Sequence, residues 1–465
     1  MVFSEPIFLY IFLPLFAVAY AFLRQKNAVL LVASLIFYAW GEPLFVLLLV
    51  AVAIVNYAAG LILDRWRSYG FLTVCATVAI NVLILVFFKY TEFITQNCNI
   101  LCALWGLPKI PEIRIHLPLG LSFFLFQAIT YSVDVYRRHC LPAQQFTQVL
   151  LYISLFPQLV AGPIVRYEEI AERLKRRYTN LERVAGGVER FIIGLAKKVI
   201  IADSLGGVVD ALFALPAGEI GMLTAWFAAL LFALQIFFDF SGYSDMAIGI
   251  GKCLGFHFPE NFNQPYRSGS MQEFWRRWHM TLSRWFRDYI YIPLGGNRRG
   301  PFRTYLNLLG VFALTGFWHG ASWNFLAWGM IHGVFLLLER LGIDRLLVRL
   351  PLVLRWVYVW GVVLVAWVFF RTDTLENAGA FLRSMCNLDF MGYSQLREFA
   401  DPFVYFTAIS AVLISILPTR MWWLRHAPRG KAVYWLKVAY LLLLSGLSLT
   451  FVAARSHQPF IYFRF

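Results

Sequence analysis

The chain has 465 residues, of which 60% are hydrophobic, 18% aromatic and only 14% charged, and its mean hydropathy is +0.64. Soluble domains carry about 25% charged residues, so a water-soluble fold is excluded for want of polar surface. The net charge of +15, from 41 Lys and Arg against 26 Asp and Glu, lies between the apolar segments. That pattern places the basic loops on the cytoplasmic side, where acidic lipid heads or a phosphorylated donor can meet them; nucleic acid is not an expected partner.

In chain order the apolar segments are residues 8–23, 28–40, 44–63, 71–88, 117–135, 146–160, 188–212, 222–238, 305–338, 354–370, 403–417 and 433–452. Crossing ~30 Å of hydrocarbon takes roughly 20 residues. The segments lack the period-2 alternation of a barrel, so their backbone groups must be satisfied within helices. The expected fold class is therefore all-α: a polytopic integral membrane protein with about a dozen transmembrane or re-entrant helices, forming one membrane domain over 1–465. Residues 28–40 and 146–160 are short and are expected to be re-entrant or buried in the bundle. Residues 1–23 lack a basic n-region and end in Arg24-Gln25-Lys26, which reads as a first span and not a cleaved signal. The basic run of Arg166, Arg173, Lys175, Arg176, Arg177, Arg183 and Arg190 reads as a cytoplasmic loop or surface helix. The six cysteines match no zinc spacing and read as apolar packing.

Residues 251–303 form the longest polar interruption, an interfacial or re-entrant segment. Met271, Phe274, Trp275, Trp278, Leu282, Trp285, Phe286 and Tyr289 recur at helical spacing, and Arg276, Arg277, His279, Ser283, Arg284 and Arg287 fall on the opposite face. The pattern predicts one amphipathic helix lying at headgroup depth. Ser270 and Glu273 make a capping-box start, and Pro293 with Gly295-Gly296-Asn297 makes a stop.

Ionisable groups at membrane depth are costly and point to a cavity or a partner. Residues 305–338 would measure about 51 Å as one helix at ~1.5 Å per residue, so the segment must tilt, protrude or break. Gly316, Gly320, Ser322 and Asn324 mark the place to break, which sets His319 beside irregular backbone. An imidazole there suits general-base work; the competing reading is a satisfied core histidine beside a Gly316 to Gly320 packing face. His279, on the polar face of the amphipathic helix, is either a second functional group or a solvated interfacial histidine. His332 lies too far along a continuous helix to cooperate with His319, and the remaining histidines look peripheral. Asp239 and Asp245 enter an apolar segment six residues apart, so they point to different sides and each orients a partner, or is simply hydrogen-bonded to Arg or Tyr. No H-E-x-x-H, Walker A, G-x-S-x-G or H-x-x-x-D pattern occurs, so the chemistry is expected to be metal-free and histidine-centred.

Several blocks carry a resemblance. They are Phe156-Pro157-Gln158-Leu159-Val160-Ala161-Gly162-Pro163, Asp239-Phe240-Ser241-Gly242-Tyr243-Ser244-Asp245-Met246-Ala247, Asn261-Phe262-Asn263-Gln264-Pro265-Tyr266, Phe274 to Trp285 with Phe274-Trp275-Arg276-Arg277-Trp278-His279 at its head, Phe317-Trp318-His319-Gly320, and the terminal Pro459-Phe460-Ile461-Tyr462-Phe463. Together they resemble the membrane-bound O-acyltransferase (MBOAT) family, and within it the bacterial branch of alginate O-acetyltransferases and cellulose-acetylation proteins. Arg464 stands where the resemblance leads one to expect an uncharged polar residue.

The resemblance implies helices around a central tunnel, His319 as the catalytic histidine and His279 as the second. Asp239, Ser241, Tyr243, Asp245, Trp278, Arg284, Trp318 and Asn324 would line the tunnel or orient the substrate, and His279 and Asn324 would orient the donor or steady the oxyanion. The implied activity is acetyl transfer from a cytoplasmic thioester, acetyl-CoA or another, across a bacterial inner membrane for O-acetylation of an exopolysaccharide. No cofactor is bound; the partners are membrane lipids, extracytoplasmic SGNH-type acetyltransferases and polysaccharide synthesis machinery. The rival readings are a D-alanyl or lipid acyltransferase of the same family, and a non-catalytic polysaccharide or solute transporter. The enzymatic reading requires one imidazole deep in the bilayer that reactants can reach from both leaflets.

Overall fold

The structure is a computed structural model and describes residues 1–216, 219–387, 393–417, 430–454 and 461. Each apolar segment read above falls on helix, and there is no strand among the described residues. Among the described residues six helices are long and apolar enough to cross a membrane: Val46–Arg65, Arg67–Leu104, Met222–Cys253, Trp323–Arg349, Leu352–Arg371 and Lys431–Ala454. Phe8–Phe22, Lys26–Gly41 and Pro402–Ile416 are apolar but shorter. Residues 146–160 form the short helices Phe146–Ser154 and Phe156–Leu159, and most of their side chains are buried, in line with the expectation for that segment.

The chain divides into two compact units, Met1–Phe191 with Met246–Pro259, and Ile192–Asp245 with Glu260–Phe465. In the first, the phenyl ring of Phe156 meets those of Phe8, Phe12, Phe16 and Phe37 at centroid separations of 5.2 to 6.4 Å. Polar contacts there tie helices together: Asn56 pairs with Asn81 at 3.3 Å and accepts from Ser132 at 2.8 Å. Such side chains in hydrocarbon are stable only when they find one another.

In the second unit, Met222–Cys253 supplies the central element up to Asp245. The most apolar stretch of that helix is 78% buried, against 6% for Lys431–Ala454. The first is a core helix, and the second presents its leucines to lipid. Around the core helix pack Asp203–Phe213, Leu352–Arg371, Leu375–Cys386 and Pro402–Ile416. The long apolar run breaks as the glycines and short polar residues predict. One helix, Pro301–His319, ends at Gly320, and the next starts at Trp323.

The amphipathic segment departs from expectation. It is two short helices, Met271–Arg277 and Met280–Phe286, separated by Trp278 in extended conformation and His279 in the left-handed region at φ 40°. The predicted cap is present, with Ser270 Oγ accepting from the Glu273 amide at 3.1 Å. A second device, not read from the sequence, is Glu339, whose buried carboxylate accepts from the amides of Met271 and Gln272. An anion at a helix N-terminus satisfies donors that have no partner within the helix.

The two arms of the hairpin meet through glycine. A Cβ on Gly329 would overlap the Phe312 carbonyl oxygen, and one on Gly316 would overlap that of Phe325. The small-residue face of Gly316 is thus filled by Gly329, while Gly320 lies against the Phe325 ring. Gly329→Ala should cost about 1–3 kcal/mol, the usual range for overpacking, read as a lowered melting temperature in detergent. Gly310→Ala, where a Cβ meets nothing within 4 Å, should be neutral or slightly stabilising. Equal melting of the two variants would show that the crossing is not tight.

Candidate functional site

His319 is the last residue of its helix, and its side chain is 4% exposed. Its ring stands edge-to-face with Trp318 at 4.8 Å, Trp328 at 4.8 Å and Phe370 at 5.3 Å. Apolar contact on three sides fixes the plane of the imidazole and excludes water from it.

The second histidine is closer to the first than a solvated face would put it. His279 is fully buried, not exposed on the polar side of a helix as its spacing suggested. The reason is the break at Trp278 and His279: a left-handed residue reverses the side on which its side chain emerges. Positive φ in a residue other than glycine costs of order 1–3 kcal/mol and persists where surrounding contacts impose it. Those contacts come from the neighbouring loop. Met280 N–H donates to the Asn261 carbonyl at 2.9 Å, and Asn263 N–H donates to the Arg277 carbonyl at 2.9 Å.

Asn261 also sets the protonation of the ring. Its Oδ1 accepts from the Thr281 amide at 3.4 Å and pairs with the Thr281 hydroxyl at 2.9 Å, while its Nδ2 donates to Ser244 Oγ at 3.0 Å. The Thr281 amide can only donate, which identifies the oxygen end of the Asn261 side chain. His279 Nδ1 lies 3.0 Å from that oxygen and must therefore carry the proton. Nε2 is left as an acceptor, buried and without a hydrogen-bond partner among the described residues. Both nitrogens of His279 are thereby assigned, Nδ1 as donor and Nε2 as acceptor. Its ring packs on Phe240 at 4.6 Å and on Trp318 at 6.2 Å. Trp318 thus touches both histidines.

His332 meets this cluster through Trp328. The hairpin folds it back, and Trp328 contacts His319 on one side and His332 at 4.9 Å on the other. Trp278 is a buried packing residue against Phe274 and Trp367.

The two aspartates bind adjacent lysines of one neighbouring segment, so they face the same element and do not point to different sides as their spacing suggested. Asp239 Oδ1 sits 3.0 Å from Lys198 Nζ, which also binds Asp203 at 2.6 Å. Its Oδ2 accepts the Ile461 amide at 2.8 Å, and the rest of the terminal motif and Arg464 lie outside the described residues. Asp245 pairs with Lys197 at 2.6 Å. Between them, a Cβ on Gly242 would sit 2.7 Å from the Gly194 carbonyl oxygen, so the two segments touch backbone to backbone.

Asn324 does not steady a developing charge in this arrangement. Its Nδ2 donates to the Thr372 carbonyl at 2.6 Å and lies 3.2 Å from the Thr372 hydroxyl, so its donors are already committed to holding the hairpin on Leu352–Arg371. Ser241 and Tyr243 are buried and Arg284 is half-buried. Asn261, Lys198 and Asp203 are the residues that sequence reasoning left without a role. The signal for the lysines was present, since two adjacent cations inside an apolar stretch demand counter-charges. No group of three or more His, Cys, Asp or Glu side chains among the described residues could hold a metal ion.

Residues 118–372 match the model of MBOAT, the membrane-bound O-acyltransferase family. The chain is 37% identical over 510 residues to a probable alginate O-acetylase AlgI of Azotobacter vinelandii, with all of both chains covered. It is 38% identical over 498 residues to the protein of that name from Pseudomonas putida, again with full coverage. A peptidoglycan O-acetyltransferase of Helicobacter pylori is 34% identical over 519 residues, covering all of this chain and 98% of the relative. A chain of membrane-length helices with these relatives is a membrane-embedded acyltransferase, and it belongs to the membrane-bound O-acyltransferase family.

Proposed function

We propose that the protein transfers acetyl from a cytoplasmic thioester, acetyl-CoA or a relative of it, toward O-acetylation of an extracytoplasmic polysaccharide. The observation that carries this reading is the convergence of His279 and His319 on Trp318 among aromatic side chains. The names of full-length relatives, which act on alginate and peptidoglycan, favour acetyl as the group and a polysaccharide as its destination. The bacterial inner membrane is the matching location, with extracytoplasmic acetyltransferases of the SGNH type as the partners that complete polymer modification.

His319 acts as general base. It takes the proton of an acceptor hydroxyl as the oxygen attacks the thioester carbonyl, the carbon–sulfur bond breaks, and the leaving thiolate takes that proton as it departs. A thioester is already activated, so orientation and one base suffice. His279 accepts a hydrogen bond at Nε2 and aims the hydroxyl; with its proton on Nδ1 it has nothing to donate to an oxyanion. Exclusion of water by Trp318, Trp328 and Phe370 protects the thioester from hydrolysis.

His319→Ala should lower acetyl transfer from labelled acetyl-CoA in liposomes by at least ~10²-fold, the low end of general-base contributions, with insertion and melting retained. Full acetylation by that variant eliminates the proposal. The tautomer of His279 gives a separate test. Asn261→Asp places a carboxylate against Nδ1, which favours the imidazolium and raises the pKa of the ring. The variant should therefore lose activity as pH falls through the range where wild type is insensitive to this group. Superimposable pH profiles for the two proteins would remove His279 from the reaction.

A further inference from the structure

Two basic segments far apart in sequence meet in the first unit. Arg177 Nε donates to the Tyr20 hydroxyl at 3.1 Å and its Nη1 to Asn27 Oδ1, while Asn27 Nδ2 donates to the Leu174 carbonyl at 2.7 Å. The turn after the first helix and the arginine-rich run therefore lie on the same side of the membrane. Beside them opens a cleft of about 1050 Å³, at the upper end of the ~300–1,000 Å³ that small-molecule pockets occupy. One end is cationic, with Lys26, Arg176 and Arg177; the remainder is an apolar trough that includes Phe16, Ala17, Val188 and Leu254.

The cations lack counter-ions. Lys175 is neutralised by Glu172 at 3.1 Å. By contrast, Lys26 donates to the carbonyls of Tyr20 and Ala21, and Arg177 to neutral oxygens. Arg176 lies over the Tyr178 ring at 5.5 Å. Among the described residues none of these three has a carboxylate within ion-pair distance, and Arg177 Nη2 is buried with no hydrogen-bond acceptor. Beside the cleft, Phe8–Phe22 exposes Leu15, Val18 and Phe22, an apolar outer face that suits contact with lipid.

We propose that the cleft binds an acidic phospholipid of the cytoplasmic leaflet, its phosphate held by Lys26, Arg176 and Arg177 and an acyl chain laid along the trough. A free phosphate would leave the trough unused, and a nucleotide would bury polar groups against Val188 and Leu254 without partners. An anionic head on an apolar tail satisfies both ends, and the cytoplasmic leaflet is the one rich in acidic lipid.

The test titrates the full-length protein in detergent with phosphatidylglycerol or phosphatidylcholine of matched chains and counts retained lipid by native mass spectrometry. Wild type should retain phosphatidylglycerol preferentially. Each basic group near an acidic headgroup contributes roughly 1 kcal/mol, a factor of about five, so Lys26→Gln with Arg176→Gln should weaken retention about 25-fold and abolish the preference. Arg177 is left in place because it ties Tyr20 and Asn27. Val188→Trp fills the trough without changing charge and should reduce binding of phosphatidylglycerol while leaving the melting temperature intact. Equal retention of the two lipids by wild type, or an unchanged preference in the double variant, overturns the proposal. Displacement of phosphatidylglycerol by equimolar inorganic phosphate or coenzyme A also overturns it, since the cleft would then serve a soluble anion.

Discussion

Backbone inside hydrocarbon can leave the helix only where other groups take up its freed hydrogen bonds. The second unit makes two such departures, and each carries a histidine. At Trp278 and His279 the freed groups are met by Asn261 and Asn263. At Gly320 the hairpin turns, and Asn324 reaches across to the Thr372 carbonyl to secure it. The amides and asparagines that make the breaks tolerable also aim the imidazoles, so irregular structure and positioned chemistry have one cause. Had either segment stayed helical, its histidine would have followed the helix face, and Trp318 would not lie against both.

The surroundings of these rings decide what charge they hold. Aromatic walls offer His279 no compensation for a proton on Nε2, and its Nδ1 proton already has a partner in Asn261. A neutral imidazole is the form that can receive a proton, and a site without water is the form that protects an activated ester. Both follow from placing histidines among tryptophan and phenylalanine.

Much of this was readable from residue order. Apolar length placed the helices, the glycines and short polar residues placed the break after His319, and Ser270 with Glu273 placed a helix start. The error at His279 has a specific origin. Met271, Phe274 and Trp275 before the break, and Leu282, Trp285 and Phe286 after it, are all buried, so the apolar period runs on undisturbed across a residue that turns the chain the other way. The left-handed conformation is imposed by Asn261, eighteen residues upstream, and periodicity within the segment carries no trace of it.

The carboxylates of the core helix are committed to ion pairs. An aspartate could serve as a base only with a free oxygen facing the reactants. Asp239 has neither to offer, with one oxygen on Lys198 and the other on the Ile461 amide, and Asp245 is held by Lys197. Removing one partner from such a buried pair would strand the other charge, at a cost of about 3–5 kcal/mol. These residues are fixed by their electrostatics as clamps between Lys197–Ala202 and the core helix, and Asp239 also accepts from the Ile461 amide. The aspartates therefore shape the scaffold around the site, while the histidines, held by rings and one amide, keep a nitrogen whose proton can come and go.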